Sequence, residues 1–591
     1  MSSWSWRGSI DAARGQLVPA GSQFQVNTYT SGSQFEPAAA AAATGDFLVV
    51  WRSTLSAADT SGAVLGQLYD VAGVAAGPEL QVNTYTTGSQ LEPAVAADGA
   101  GNFVVVWRSV GSAGADTDYE SIQGQRYDGS GAPLGVQFEV NTYTTSHQLE
   151  PAVAADAAGN FVVVWTSYGG GTDASNGSIQ AQRYNPAGVA VGGQFQVNTY
   201  ATGTQDHADV ATDAAGNFVV VWRSVGSAGS DTSGQSIQAQ RFNAVGAAVG
   251  VQFQVNTYTS SDQLEPALGV DAPGNFVVVW RSDGSAQLDT SNGSIQAQRY
   301  NAVGAAVGVQ FEVNTYTTGL QRSPAVTVDG AGTALIAWAS DGSGGLDTDN
   351  ESIQAQRYDS AGVALGGQFQ VNTYTTGLQY AAAAAADAAG NFVVAWSGLG
   401  SPGSDPGQGV HAQRFALGRP IFGKRILVKD PTGSEPQRTV VALGKETTTD
   451  IGPTILGNPT IVGATLRVIT KGATDSDQTY VLDASGWKAL AVGYKYAGPT
   501  VGDGDPVKKV LLKRTPAGVA LLKTILKGSL GTQSLDVTPP NPGDEGGIIL
   551  AIPGGGASCA TFGGAAGGTE PRDDARVWKI TNPVAQGCLL P

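Results

Sequence analysis

The first 418 residues contain no lysine, and this absence separates the chain into two parts. They hold 13 arginines and 34 acidic residues, a net charge of −21, whereas residues 419–591 hold all 12 lysines and carry +4. The change in composition indicates a domain boundary near residue 418. Nucleic acids and anionic membranes are bound by basic surfaces, so we expect neither to be the main partner of the first part.

Several sequence signatures are missing as well. The chain has no apolar run of about 18 residues, which predicts no transmembrane helix. Its first residues show neither the basic region nor the apolar core of a signal peptide. A nucleophile elbow, a zinc-protease motif and a phosphate-binding loop are also absent, so the sequence predicts a protein that is not an enzyme.

Cysteine is nearly absent. Cys559 and Cys588 are the two cysteines of the chain, and both lie near its C-terminus. An even, closely spaced pair predicts one disulfide and an oxidising compartment, with two unrelated free thiols as the alternative.

An internal repeat dominates the first part of the chain. The string Val-Asn-Thr-Tyr recurs seven times, and each copy is followed by a tryptophan. In the third copy, four segments have the composition of strands: Pro151–Asp156, Phe161–Ser167, Ser178–Tyr184 and Gln194–Thr199. Seven units of four strands predict a seven-bladed β-propeller over residues 22–418, with a β-solenoid as the alternative.

The ends of the repeat region predict how the ring closes. Residues 22–28 match a fourth strand without the three that precede it, and the seventh unit has no fourth strand of its own. We therefore expect residues 22–28 to close the seventh blade, after an N-terminal extension at 1–21. Residues 419–591 contain short strand patterns between Pro/Gly turns, which predict an all-β, β-sandwich-like domain.

One face of the predicted propeller carries repeated side chains that suit a ligand. Flat aromatic rings beside amides can bind sugars by stacking and hydrogen bonding. The alternative is that both sets of residues are structural, with the amides bonding loop backbone and the tyrosines filling gaps between blades. The candidate ligand-binding residues are Tyr29, Tyr85, Tyr143, Tyr200, Tyr258, Tyr316 and Tyr374, with Gln34, Gln90, Gln148, Gln205, Gln263, Gln321 and Gln379.

Two further clusters are candidates for chemistry. Oxygen-rich loops offer weak calcium ligands, and no other cofactor is predicted. The fourth unit reads Gln205-Asp206-His207-Ala208-Asp209 where others read Gln-Leu-Glu-Pro-Ala, so His207 lies between two carboxylates. This arrangement fits a metal or acid/base cluster, with a solvated substitution as the alternative. The calcium candidates are Asp116, Asp118, Glu120, Asp347, Asp349 and Asn350.

The repeat, FQVNTYT…PAVAADAAGNFVVVWRS…SIQAQRY, resembles units of large secreted or surface proteins of bacteria, loosely grouped with FG-GAP-like propeller repeats. The resemblance covers about residues 20–418 and implies a propeller and an extracellular or cell-surface setting. We expect a non-enzymatic, multivalent adhesion module that binds a glycan or a surface protein. The alternatives are a structural subunit of a surface layer, appendage or filament that binds its own copies, and a hydrolase-type propeller enzyme acting through His207.

Overall fold

The structure is a computed structural model and describes most of the chain. Among the described residues, no helix is both long and apolar enough to cross a membrane. The chain divides into two compact units, residues 23–413 and residues 1–22 with 414–591. The described residues are 17–56, 59–112, 114–116, 119–168, 176–227, 229–231, 234–284, 293–342, 347, 351–399, 407–421, 423–446, 458–498, 506–515, 520–530, 533–540, 542–552, 556–563, 569–574 and 576–581.

Each repeat in residues 23–413 begins with two long strands that pair in an antiparallel hairpin. The first strands of the seven repeats are β3 (Gln34–Ala41), β7 (Gln90–Ala97), β11 (Gln148–Ala155), β15 (Gln205–Thr212), β19 (Gln263–Val270), β23 (Gln321–Val328) and β27 (Gln379–Ala386). The second strands are β4 (Phe47–Ser53), β8 (Phe103–Val110), β12 (Phe161–Tyr168), β16 (Phe218–Val225), β20 (Phe276–Ser282), β24 (Ala334–Asp341) and β28 (Phe392–Leu399).

The third and fourth strands complete each sheet. The third strands are β5 (Ala63–Tyr69), β9 (Glu120–Tyr127), β13 (Gly177–Tyr184), β17 (Gln235–Phe242), β21 (Ser294–Tyr300), β25 (Glu351–Tyr358) and β29 (Gln408–Pro420). The fourth strands are β6 (Leu80–Gln81), β10 (Phe138–Glu139), β14 (Phe195–Gln196), β18 (Ala248–Gln254), β22 (Ala306–Glu312) and β26 (Phe369–Gln370). Four of these six have two residues, so the predicted strand at Gln194–Thr199 is far longer than β14.

The prediction of seven blades is wrong, because the described residues form six separate four-stranded sheets. The strands of the seventh repeat belong instead to a nine-stranded sheet. Strand β29 is 13 residues long and continues past the repeat pattern. It pairs with β1 (Leu17–Pro19), with β2 (Phe24–Gln25) and with a strand of the C-terminal region, so this sheet does not end at four strands.

The second strand of each repeat explains why these sheets form. Its Phe-Val-Val-Val-Trp run is β-branched and aromatic, and both of its faces are covered by neighbouring sheets, so nearly every side chain is buried. The seven tryptophans are 0% exposed. The first strand is innermost, since each first strand lies against that of the next repeat, and β27 lies against β3. The first strands therefore line the middle of this unit.

The C-terminal region is a second β-rich unit. Its strands are β30 (Gly423–Lys429), β31 (Thr439–Glu446), β32 (Ala464–Gly472), β33 (Ser476–Leu482), β34 (Trp487–Leu490), β35 (Gly493–Ala497), β36 (Val507–Arg514), β37 (Ala520–Lys527), β38 (Gly543–Ile552), β39 (Gly556–Gly563), β40 (Thr569–Asp574) and β41 (Val577–Thr581). One sheet has the order β34-β35-β36-β37-β31-β30-β41-β40, and β39-β38-β32-β33 lie in the nine-stranded sheet. Short helical turns occur at Pro459–Val462, Glu435–Gln437 and Ala484–Gly486.

Both C-terminal sheets contribute to one apolar core, which contains Trp578, Phe562, Leu466 and Leu522. Cys559 lies in β39 and is 0% exposed. Cys588 lies outside the described residues, so the disulfide stays a prediction.

Candidate functional site

A β-bulge interrupts the first strand of every repeat at the same place. The pairing register with the second strand shifts two residues after the buried glutamine. The residue at the bulge has φ between 50° and 54° in all seven repeats, a conformation that costs a non-glycine residue about 1–3 kcal/mol. We call these seven residues the bulge ring: Glu36, Glu92, Glu150, His207, Glu265, Ser323 and Ala381.

The glutamates of the bulge ring connect adjacent repeats. The amide N–H of Glu150 donates to Oε2 of Glu92 at 2.9 Å, and the amide N–H of His207 donates to Oε2 of Glu150 at 2.8 Å. Ser323 donates to Glu265 in the same way at 2.6 Å. Each glutamate thus satisfies the backbone donor that the bulge of the next repeat leaves unpaired.

An arginine from the second strand accompanies most of these glutamates. Nη2 of Arg108 lies 3.2 Å from Glu92, and Nη1 of Arg281 lies 3.5 Å from Glu265. The third repeat differs, because Thr166 takes the place of the arginine and its hydroxyl donates to Oε2 of Glu150 at 3.0 Å.

The fourth repeat departs furthest from the pattern. Nδ1 of His207 lies 3.2 Å from Oε1 of Glu150 and 3.5 Å from Oδ1 of Asp206. Asp206 also accepts two hydrogen bonds from the guanidinium of Arg223, at 2.7 and 2.5 Å. His207 has no carboxylate that could accept from the bulge amide of the following repeat. Asp209 accepts from a different amide of that repeat, the N–H of Leu268, at 2.8 Å.

These contacts shift the pKa values of His207 and Asp206. Burial lowers the pKa of His207, but its interactions with Asp206 and Glu150 outweigh burial and leave that pKa raised. Burial works against the charged form of Asp206, but His207 and Arg223 hold its pKa below the usual range. The raised pKa favours the imidazolium form of His207, which lies beside the carboxylates of Asp206 and Glu150 and can serve as a proton donor.

Two further carboxyl groups near this cluster, those of Glu92 and Asp209, also have shifted pKa values. Burial raises the pKa of Glu92, and the charges of Glu150 and Glu36 raise it further against the effect of Arg108. Burial raises the pKa of Asp209 to about 6. Among the described residues, no group of three or more His, Cys, Asp or Glu side chains has a geometry that could hold a metal ion.

Aromatic side chains lead from this cluster toward the solvent. Burial raises the pKa of Tyr168, and the nearby charges of Asp206 and Glu150 add to the rise. Tyr168 is edge-on to the imidazole of His147, and their ring centroids are 6.3 Å apart. The ring centroids of His147 and Tyr119 are 4.6 Å apart. Tyr119 is 63% exposed, so these rings connect open surface to the acid–base cluster.

The predicted glutamines have a structural task. Each is 0% exposed, and its amide oxygen accepts from the indole N–H of the tryptophan in the same repeat, at 2.8–3.2 Å. The predicted tyrosines are partly exposed, at the same end of the strands as the bulge ring. Ligand binding by the fourteen residues stays a prediction, and the burial of the glutamines leaves the tyrosines as the members that a ligand can reach.

The calcium candidates that the structure describes have protein partners. Asp116 and Asp347 are buried and accept from the side-chain amides of Asn141 and Asn372, each at 2.8 Å. Glu120 lies 2.5 Å from Nδ1 of His147. These contacts leave no calcium cluster among the described candidates. The remaining three, Asp118, Asp349 and Asn350, lie outside the described residues.

The sequence analysis missed Glu92, Glu150, Thr166 and Tyr168. The signal that could have found them is departure from the repeat. Position by position, the third and fourth repeats replace Arg by Thr, Val by Tyr, Leu by Asp and Glu by His, and all four changes lie around one point of the bulge ring.

No protein-family profile and no curated protein matches the chain. Solved structures with a similar fold include an ulvan lyase (11% identity, 68% of this chain and 96% of the other, TM-score 0.41). Another is an α-L-arabinanase from Penicillium chrysogenum, at 16% identity over 55% of this chain and 92% of the other, with a TM-score of 0.37. A third is a copper-bound fungal alcohol oxidase, at 12% identity over 96% of this chain and 100% of the other, with a TM-score of 0.40. These similarities concern a propeller-type repeat arrangement, and at such TM-scores they carry no argument about substrate or chemistry.

The prediction that this protein is not an enzyme is contradicted. The similar structures include proteins that are named for a catalytic activity. The prediction rested on the absence of sequence motifs for three unrelated enzyme classes, and such an absence does not exclude catalysis.

Proposed function

We propose that the protein is a hydrolase-type propeller enzyme that cleaves a carbohydrate at the junction of the third and fourth repeats. The observation that carries the proposal is the contact between His207 and Glu150 at 3.2 Å, at the junction where a histidine takes the place of the bulge glutamate. The junction of the sixth and seventh repeats also lacks this glutamate and the preceding arginine, but Ala381 and Ala339 replace them there and neither can transfer a proton. The junction at His207 is therefore favoured as the catalytic site.

The chemistry follows from the protonation states. His207 in its imidazolium form gives a proton to the glycosidic oxygen as the bond to the anomeric carbon breaks. The water that attacks that carbon from the opposite face of the sugar releases a proton to solvent, so one C–O bond is exchanged for another. Glu150, 3.2 Å from Nδ1 of His207, lies on the same side as the acid and holds the imidazolium in place. Arg223 and Asp206 position the imidazole and keep it charged.

Carbohydrate is favoured by the aromatic side chains. Tyr168 interacts electrostatically with Asp206 and Glu150, and Tyr119 lies farther out against His147. Sugar rings stack on such aromatic faces through their axial C–H groups. The neighbouring loops add polar groups that can bond hydroxyls, among them Glu120 and His147.

The test is hydrolysis of a panel of neutral and acidic polysaccharides, measured as new reducing ends and as uptake of oxygen from labelled water. His207→Gln and Glu150→Gln should each reduce kcat/KM by at least about 100-fold, the first by removing the general acid and the second by removing the carboxylate that keeps this acid charged and in place. Glu265→Gln is the matched control, since it makes the same change at the equivalent position of the fifth repeat. Equal losses in Glu150→Gln and Glu265→Gln would mean a structural role only and would refute the proposal.

A second candidate function is multivalent glycan binding through the seven repeated tyrosines. It is favoured by their partial exposure at equivalent positions of every repeat. Binding on a glycan array that survives His207→Gln and falls when several of these tyrosines become alanine would support it. An extracellular or cell-surface location, with a glycan or surface protein as partner, belongs to the same proposal.

A further inference from the structure

In the eight-stranded C-terminal sheet, one face of strands β36, β37, β31, β30 and β41 carries cations and no described carboxylate, and Asp574 of β40 lies at its border opposite Val577. On strands β36, β37, β31, β30 and β41, alternate side chains enter the core, and the others point outward. The outward cations are Lys509, Lys513, Lys523, Lys527, Lys445, Arg425, Lys429 and Lys579, and between them lie Leu511, Leu521, Ile525, Val441, Leu443, Leu427 and Val577. We call this set the basic face.

The register of the sheet spreads these charges in an alternating pattern. Lys523 is flanked on the neighbouring strands by Leu511 and Leu443, and Lys513 pairs with Leu521. Within these five strands each cation directly faces an aliphatic residue or a threonine, which avoids the repulsion of like charges in opposed positions. At the border of the set, Lys579 pairs with Arg572 of β40. Among the described residues, no ion pair neutralises any of them.

The first 418 residues have the complementary character. They carry −21 with no lysine. Their arginines are largely engaged within the unit. Arg52, Arg108, Arg223 and Arg281 pair with carboxylates, and Arg126, Arg183, Arg241 and Arg299 donate to backbone carbonyls. The net charge of −21, which includes all of these arginines, leaves a large excess of negative charge to attract a basic surface.

We propose that the basic face binds the acidic repeat unit of a second copy of this chain. Five strands of about seven residues cover about 24 by 23 Å, or roughly 550 Å². A stable interface buries about 800 Å² on each partner, so this one is expected to be weak and sensitive to salt. Because each chain carries one basic face and one acidic unit, the contact is head-to-tail and can continue from copy to copy.

Sedimentation velocity of the full chain tests the proposal at about 0.1 M and about 1 M salt, where the Debye length is about 10 and about 3 Å. We expect association that grows with protein concentration at the lower salt and disappears at the higher. Lys509→Glu with Lys523→Glu should weaken it about tenfold or more. Lys508→Glu with Arg576→Glu is the control of equal net charge, since both residues are exposed outside the paired register of the basic face.

Zero-length crosslinking of isotopically labelled and unlabelled chains gives a second readout that needs no variant. Crosslinks between Lys523 or Lys527 of one isotope and carboxylates in residues 23–413 of the other are expected. A monomer at the lower salt, an equal loss in both double variants, or a monomer whose basic face binds phosphatidylserine vesicles or an anionic polysaccharide would each overturn the proposal.

Discussion

Asp209 allows the electrostatics of the candidate site to be tested apart from any activity. It accepts the N–H of Leu268 in the fifth repeat and the N–H of Val210 in its own. Burial raises its pKa from 3.8 to about 6. The folded state therefore binds this proton more tightly than the unfolded state, so the stabilisation is complete below pH 3.8 and is lost as the pH rises through about 6.

The magnitude follows from the two pKa values. For a carboxyl group that titrates at about 6 when folded and at 3.8 when unfolded, lowering the pH from 8 to 5 adds about 1.4 kcal/mol to the free energy of unfolding. Asp209→Asn keeps the shape of the side chain and removes the titration. We expect the difference in unfolding free energy between wild type and variant to change by about 1.4 kcal/mol over that range, in favour of wild type at pH 5.

Urea denaturation at pH 5 and pH 8, followed by tryptophan fluorescence, measures that difference. Asp213→Asn serves as the control for a carboxylate in a hairpin turn, where it bonds Ala215 and Asn217. A difference between wild type and Asp209→Asn that stays constant from pH 5 to pH 8, or that changes with the opposite sign, would refute the reasoning.

Three further predictions use the same structure. Gln263→Leu should lower the free energy of unfolding by about 1–3 kcal/mol, because the buried indole N–H of Trp280 loses its acceptor; denaturation measures the loss, and an unchanged midpoint contradicts it. Gly226→Ala should destabilise by about 1 kcal/mol or more, since φ is 74° and a Cβ would lie 2.9 Å from the hydroxyl of Tyr200; a stability equal to wild type contradicts it. Hydrolysis should decline as the pH rises through the raised pKa of His207, and a rate that increases with alkalinity contradicts that role.

Periodicity made the strands predictable and left the site hidden. The Phe-Val-Val-Val-Trp run of the second strand predicts a strand covered on both faces, and that is where β12 lies. The bulge at Glu150 was not foreseen, because a glutamate before a proline in a short strand carries no sign of positive φ. The first strand was therefore expected to begin at Pro151, and Glu150 was left outside it.

The number of separate blades could not be obtained from the repeat count. Whether the seventh repeat closes as an independent sheet depends on what pairs with β29 after the repeat ends. That pairing is between residues far apart in sequence, such as Gly418 and Ala557, and no local pattern encodes it.

The central claim is that the junction of the third and fourth repeats is a catalytic site, whereas the equivalent junctions of the bulge ring only stabilise the fold. A crystal structure of Glu150→Gln soaked with oligosaccharides from the best polysaccharide tests it most directly. The account predicts density for a sugar within hydrogen-bond distance of His207 and stacked near Tyr168, at this junction alone. Sugars at several equivalent positions of the ring, or on the repeated tyrosines with the His207 junction empty, would contradict it.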